Sequence, residues 1–194
     1  MKKVFSLFLT ILMCLTISLG AFAEDDFVFT DVKDDSPYKD AIIWAVKEGI
    51  TNGTSKTTFS PDETCTIAQI LTFLWRNAGS PDSTFQSPAS DIGYDSPYFK
   101  ALCWSYEKDI FEPEYGASPC TREVAVTYLW KLAGRPVAKT QCPFTDVESG
   151  TDGEKAVLWA VKEGITNGTS ETTFSPDATC TRGQIVTFLY RHLN

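Results

Sequence analysis

The 194-residue chain has a single histidine, His192, two methionines and no Cys-x-x-Cys pair. Zinc sites draw on several Cys and His ligands, so the supply of ligands rules against one here. One imidazole near the C-terminal edge also leaves no Ser-His-Asp or Cys-His set to assemble. No carboxylate pair stands out among the 25 Asp and Glu residues, so a glycosidase-type acid and base cannot be assigned. Asp31, Asp34 and Asp35 do not follow the spacing of a calcium loop. The residues thus point to no enzyme, no metal and no cofactor. Basic residues are scarce as well: 17 Lys and Arg face 25 acids, a net charge of −8. That is the wrong field for a nucleic-acid partner, whose phosphates require neutralisation.

Long apolar runs are nearly absent. The one exception, Val4 to Leu19, follows Lys2 and Lys3 and leads to Ala21-Phe22-Ala23. A basic start, an apolar stretch and a small-x-small site predict a secretory signal peptide over 1–23. No later segment approaches membrane-spanning length, so the mature chain is expected to be exported and to start near Glu24. Without Lys2 and Lys3 the charge is 15 − 25 = −10. Five cysteines remain, Cys65, Cys103, Cys120, Cys142 and Cys180. Export permits disulfides, but an odd number leaves at least one thiol unpaired. Cys65, Cys120 and Cys180 each directly precede a Thr and are read as buried thiols acting as small hydrophobes; the alternative is a disulfide through Cys142.

What the chain does have is repetition. WAVKEGITNGTS begins at Trp44 and again at Trp159, and Trp44–Arg76 and Trp159–Arg191 agree at 27 of 33 positions. A weaker copy lies between them. Asp31 to Trp44, Asp91 to Trp104 and Asp146 to Trp159 are all separated by 13 residues. From each Trp to the later Thr66, Thr121 or Thr181 the separation is 22, 17 and 22, so the middle copy lacks five residues in one loop. Three units are expected, at 27–80, 88–135 and 142–194.

Each unit begins with an extended or strand-like lead-in, FTDV at Phe29 and Phe144 and SDI at Ser90. A first helix follows, with Tyr38, Ala41, Ile42, Ala45 and Val46 on one face. Gly49 and Gly164 stop it through the left-handed conformation, where the middle copy has Asp109, a poorer terminator. Asn-Gly then marks a turn; Asn-Gly-Thr also fits a glycosylation acceptor, but both outer copies must build the same turn. The second helix opens at Thr66 or Thr181, with Gln69 or Gln184 at capping-box spacing, and buries Ile70, Leu71, Phe73 and Leu74. No unit can bury its apolar faces alone. The expected fold is therefore mainly α, three helix-loop-helix units packed as a pseudo-threefold bundle.

The order FTDV, a Trp helix ending Lys-Glu-Gly-Ile, a Gly-bearing loop, Phe-Ser-Pro-Asp, and Thr-Arg before a second helix resembles the S-layer homology (SLH) repeat in its usual set of three. The resemblance covers about Phe27 to Asn194. It implies a non-catalytic anchor at the cell wall or cell surface, whose inter-repeat grooves bind secondary cell-wall polysaccharide or another peptidoglycan-linked polymer, often pyruvylated. It also implies an Arg at the second helix start: Arg122 and Arg182 match, while Ile67 stands in the first copy, so at most two grooves are competent. None of the three motif copies, Thr66-Ile67-Ala68-Gln69, Thr121-Arg122-Glu123-Val124 and Thr181-Arg182-Gly183-Gln184, keeps the family's Glu at its usual place. A guanidinium fork suits a carboxylate, and a helix N-terminus adds amides and positive dipole. Trp44, Trp104 and Trp159 are candidate sugar platforms, against a plain core role. Asp31, Asp91 and Asp146 are candidate acceptors for sugar hydroxyls, against a plain turn-closing role. The competing reading is a structural or protein-interaction module with weakened carbohydrate binding, with protein cargo unspecified.

Overall fold

The computed structural model describes residues 29–86, 91–111 and 116–194. The expected signal peptide, and Ser90 of the middle lead-in, lie outside the described residues. Six helices follow in order: α1 Lys39–Lys47, α2 Ile67–Asn77, α3 Phe99–Glu107, α4 Arg122–Leu132, α5 Asp152–Lys162 and α6 Arg182–Leu193. The fold is mainly α, and no strand occurs among the described residues.

The strand-like lead-ins are corrected by this. Around Phe29 the chain turns instead: the Val32 N–H donates to the Phe29 carbonyl at 3.3 Å and the Thr30 N–H to the Thr57 carbonyl at 2.9 Å. Extended pairing appears just before the second helices, as the isolated bridges Thr64–Thr181, Thr66–Pro119 and Thr121–Thr179. At their centre the cysteine backbones close a ring. Cys65 N–H donates to Cys180 at 2.9 Å, Cys180 to Cys120 at 2.9 Å, and Cys120 to Cys65 at 2.8 Å. Buried peptide groups must be paired, and three short segments that each lack a ladder pair with one another.

Local signals account for most helix boundaries. Thr66 and Thr181 form capping boxes with Gln69 and Gln184. Thr121 accepts from the Val124 N–H at 3.3 Å. Gly49 and Gly164 take φ of 71° and 73° after α1 and α5. Asp109 takes the same left-handed position with φ 54°. It terminates α3 as the glycines do, because the Arg135 guanidinium bonds both its carbonyl and its carboxylate. In the Asn-Gly turn, Gly53 needs its freedom twice over. Its φ is 81°, and a Cβ there would stand 2.5 Å from the Phe29 ring and from the Thr58 carbonyl.

Ile70, Leu71, Phe73 and Leu74 are buried on α2 as the pattern required. On α1 the face is narrower than expected: Ala41, Ile42 and Ala45 are buried, Tyr38 is half-buried and Val46 is exposed. The reason lies in the packing. The main helix contacts are α2 with α3, α4 with α5 and α1 with α6. Each first helix rests on the second helix of the preceding pair, and α1, with no predecessor, closes on α6.

Cys65, Cys103, Cys120 and Cys180 are buried, Cys142 is half-buried, and all five are free thiols. Burial pushes the Cys65 and Cys180 thiols up to about 12 and about 11, against the pull of Arg182 and Arg122 respectively. Cys120 is pushed higher still by burial and its two thiol neighbours. The three behave as small apolar side chains.

Candidate functional site

The starts of α2, α4 and α6 each meet a loop distant in sequence. On α6, the Arg182 N–H donates to Glu63 O and the Gly183 N–H to Pro61 O, both at 2.9 Å. On α4, Arg122 and Glu123 donate to Ala178 O and Pro176 O at 2.9 and 3.1 Å. On α2, Ile67 and Ala68 donate to Ser118 O and Gly116 O at 2.9 and 2.8 Å. These are amides a helix leaves without internal partners. The positive ends expected to offer free amides to an anion are thus already taken by loop carbonyls.

The two arginines complete the same docking. Arg182 is 4% exposed; its Nε donates to Phe59 O at 3.0 Å, and its guanidinium lies 4.8 Å from the Phe59 ring centroid and 5.5 Å from that of Phe73. Arg122 is 7% exposed; its Nε donates to Phe174 O at 2.9 Å and its Nη2 to Thr166 Oγ1 at 3.3 Å, with the Phe174 and Phe188 ring centroids at 4.9 and 5.6 Å. Burial lowers both guanidinium pKa values, yet arginine keeps its charge inside proteins. The cation is held by ring faces and carbonyl dipoles instead of a carboxylate. One difference separates the two sites: Arg182 Nη2 is buried and has no hydrogen-bond partner. Ile67, at the matching place on α2, is partly buried against the apolar core.

The aspartates grip the same loops from the other side. Asp31 accepts from the Phe59 and Ser60 N–H groups at 2.9 and 2.7 Å, and Asp146 from Phe174 and Ser175 at 2.9 and 2.8 Å. Desolvation works against the Asp146 carboxylate, but the backbone amides, Phe174 and Ser175 foremost, together hold its pKa below the ordinary value. Asp91, facing the shortened loop, accepts from the Ala117 N–H, at 3.1 Å through the nearer oxygen. Phe59 and Phe174 are therefore held at both backbone ends, N–H by Asp and C=O by Arg. The structure brings Arg182 together with Asp31, and Arg122 with Asp146.

The tryptophans stand apart from these junctions. Trp104 and Trp159 are each 3% exposed and belong to the core. Trp159 meets His192 edge-on at 5.1 Å, and half-buried Trp44 meets Tyr190 at 5.6 Å. The sequence reading missed the surface beside Arg182, an open cleft lined by Asp31, Ser60, Pro61, Asp62, Glu63 and Thr64. Its signal was Phe-Ser-Pro-Asp, repeated at Phe174. At the α4 junction, burial together with the nearby Asp177 and Glu148 carboxylates raises the Glu123 pKa. Among the described residues, no group of His, Cys, Asp and Glu could hold a metal, and no helix is long and apolar enough to cross a membrane.

Residues 28–70 and 143–186 match the S-layer homology domain. The chain is 28% identical over 179 residues to an amylopullulanase of Thermoanaerobacterium thermosulfurigenes, covering 86% of this chain and 10% of that protein. It is 35% identical over 82 residues to a cell surface protein of Thermoanaerobacter kivui, covering 42% of this chain and 11% of that protein. The chain thus spans about a tenth of the length of either relative.

Proposed function

This chain carries S-layer homology domains over residues 28–70 and 143–186, and on that premise we propose that it is a non-catalytic anchor of the cell surface, binding a secondary cell-wall polysaccharide in the grooves between its units. The single observation that carries the reading is the family match to both outer copies. We read 27–80, 88–135 and 142–194 as three repeats about a pseudo-threefold axis, a reading supported by the cyclic amide ring of Cys65, Cys120 and Cys180.

We assign the polymer to the open cleft beside α6, lined by Asp31, Ser60, Pro61, Asp62, Glu63 and Thr64, and to the like-framed α4 junction. Asp62, Glu63 and Thr64 are exposed along it and offer acceptors to sugar hydroxyls. Arg182 and Arg122 act from beneath as positioning residues, fixing the loops that form the groove walls. Half-buried Trp44, outside the cleft lining, is kept as a candidate sugar face. Ile67 makes no such staple, so the α2 junction is left out.

Cosedimentation with purified wall sacculi tests this reading. Asp62→Ala with Asp177→Ala, both at exposed positions, is expected to keep the thermal midpoint and to lose most of the sedimented fraction. Sedimentation unchanged from wild type would sink the groove assignment. Repeating the assay after mild acid removal of pyruvate ketals shows whether an anionic substituent is read.

A further inference from the structure

Two of the three junctions are written in almost the same words. Trp44–Asp62 and Trp159–Asp177 agree at 18 of 19 positions, yet the first docks on the start of α6 and the second on the start of α4. The backbone bonds and the arginine Nε bonds are alike in both places, the Arg122 Nη2 bond to Thr166 being the one without a counterpart. Pro61 and Pro176 carbonyls accept from the amides of Gly183 and Glu123, and Phe59 and Phe174 carbonyls accept from Arg182 and Arg122. Nothing in those contacts distinguishes one docking segment from the other.

The difference lies at the second residue of each second helix. Where α1 meets α6, Tyr38 lies on Gly183: a Cβ at 183 would stand 2.6 Å from Tyr38 Cδ2 and 2.7 Å from Cγ. Where α5 meets α4, the sizes are reversed. Gly153, six residues before Trp159 as Tyr38 is before Trp44, faces Glu123, and a Cβ at 153 would stand 2.5 Å from the Glu123 carboxyl carbon. The middle junction has Tyr98 and Ala68 at the corresponding positions, large on the first helix and small on the second.

We propose that this reversal is a docking key, which assigns segment 29–62 to α6 and segment 144–177 to α4 and keeps the chain a closed monomer. Tyr38 brought to α4 would put a whole ring, not a single methyl, where the Glu123 carboxylate now lies in the space that Gly153 leaves open. Gly153 brought to α6 would leave the volume of the Tyr38 ring empty. Overlap and void are both disfavoured in close-packed interiors. The key matters because chains fold from the N-terminus during synthesis, so segment 29–62 meets α4 before segment 144–177 exists. Were it to settle there, α6 would be left open to a second copy of the chain, the condition for a swapped dimer. The inference does not depend on what the grooves bind.

Two key-erasing variants of the full chain test it. Tyr38→Gly with Gly183→Glu gives both outer junctions the Gly–Glu form; Glu123→Gly with Gly153→Tyr gives both the Tyr–Gly form. Each is refolded from urea over a hundredfold range of protein concentration and followed by tryptophan fluorescence and size exclusion. Wild type is expected to return as monomer. The erased variants are expected to reach native helicity, with an added slow phase and a dimer fraction at least tenfold higher that grows with concentration. Either erased variant refolding to monomer with wild-type kinetics overturns the proposal. Failure of both to regain native helicity also overturns it, since a transferable key must rebuild each junction in the other form.

Discussion

A buried arginine is expensive unless its donors are used, and the two here differ in that respect. Arg122 has protein partners for Nε and Nη2, whereas Arg182 has one for Nε and leaves Nη2 without one. Arg122→Met is therefore expected to destabilise more than Arg182→Met, by about 1.5–3 kcal/mol, the worth of one hydrogen bond to a charged group; urea midpoints measure the difference. Glu123 supplies a pH test. Its folded pKa is raised by burial and by Asp177 and Glu148, so the folded chain holds that proton more tightly than the unfolded chain. Stability from this residue is then greatest below the unfolded pKa and falls as pH rises through the folded one. Glu123→Gln removes that fall, and its gain over wild type in thermal midpoint is expected to be larger at pH 7 than at pH 4. At this scale the sequence named Arg122, Arg182, Asp31 and Asp146, but could not show that they serve the same loops, because the bonds that join them there, the Phe59 and Phe174 N–H and C=O groups, are to the backbone. Backbone acceptors leave no mark in side-chain pattern.

At the scale of elements, the same glycine contact has different consequences at two junctions. A methyl at Gly183 meets the rigid ring of Tyr38, while one at Gly153 meets the free end of the Glu123 side chain. Gly183→Ala is expected to cost about 1–3 kcal/mol through overpacking. Gly153→Ala is expected to come out near neutral, because the carboxylate swings away and alanine adds up to about 1 kcal/mol of helix propensity. Equilibrium denaturation of the pair of variants checks the ordering. Helix starts and stops were largely legible, since caps and glycines act on their own neighbours. The lead-in at Phe29 was not: its β-like letters bend into a turn because Thr30 pairs with Thr57 inside a loop, with no neighbouring strand to extend.

Across the described residues, α3 packs on α2, α5 on α4 and α1 on α6. Such cross-packing links the stability of every unit to its neighbours. Heat or urea is expected to unfold the chain in one transition, with helicity and tryptophan fluorescence coinciding. Deleting α6 is expected to unfold α1 with it, lowering helicity by more than the share of α6 alone. Two separate transitions in the intact chain would contradict that coupling. The sequence by itself determined the helix-loop-helix words, their repetition and their apolar faces, because periodicity, capping and turn chemistry operate within a few residues. Only the tertiary structure decided which helix each face covers and where the arginines point. Those choices depend on contacts between residues as distant as Phe59 and Arg182, where side-chain volume and backbone geometry select among nearly identical surfaces.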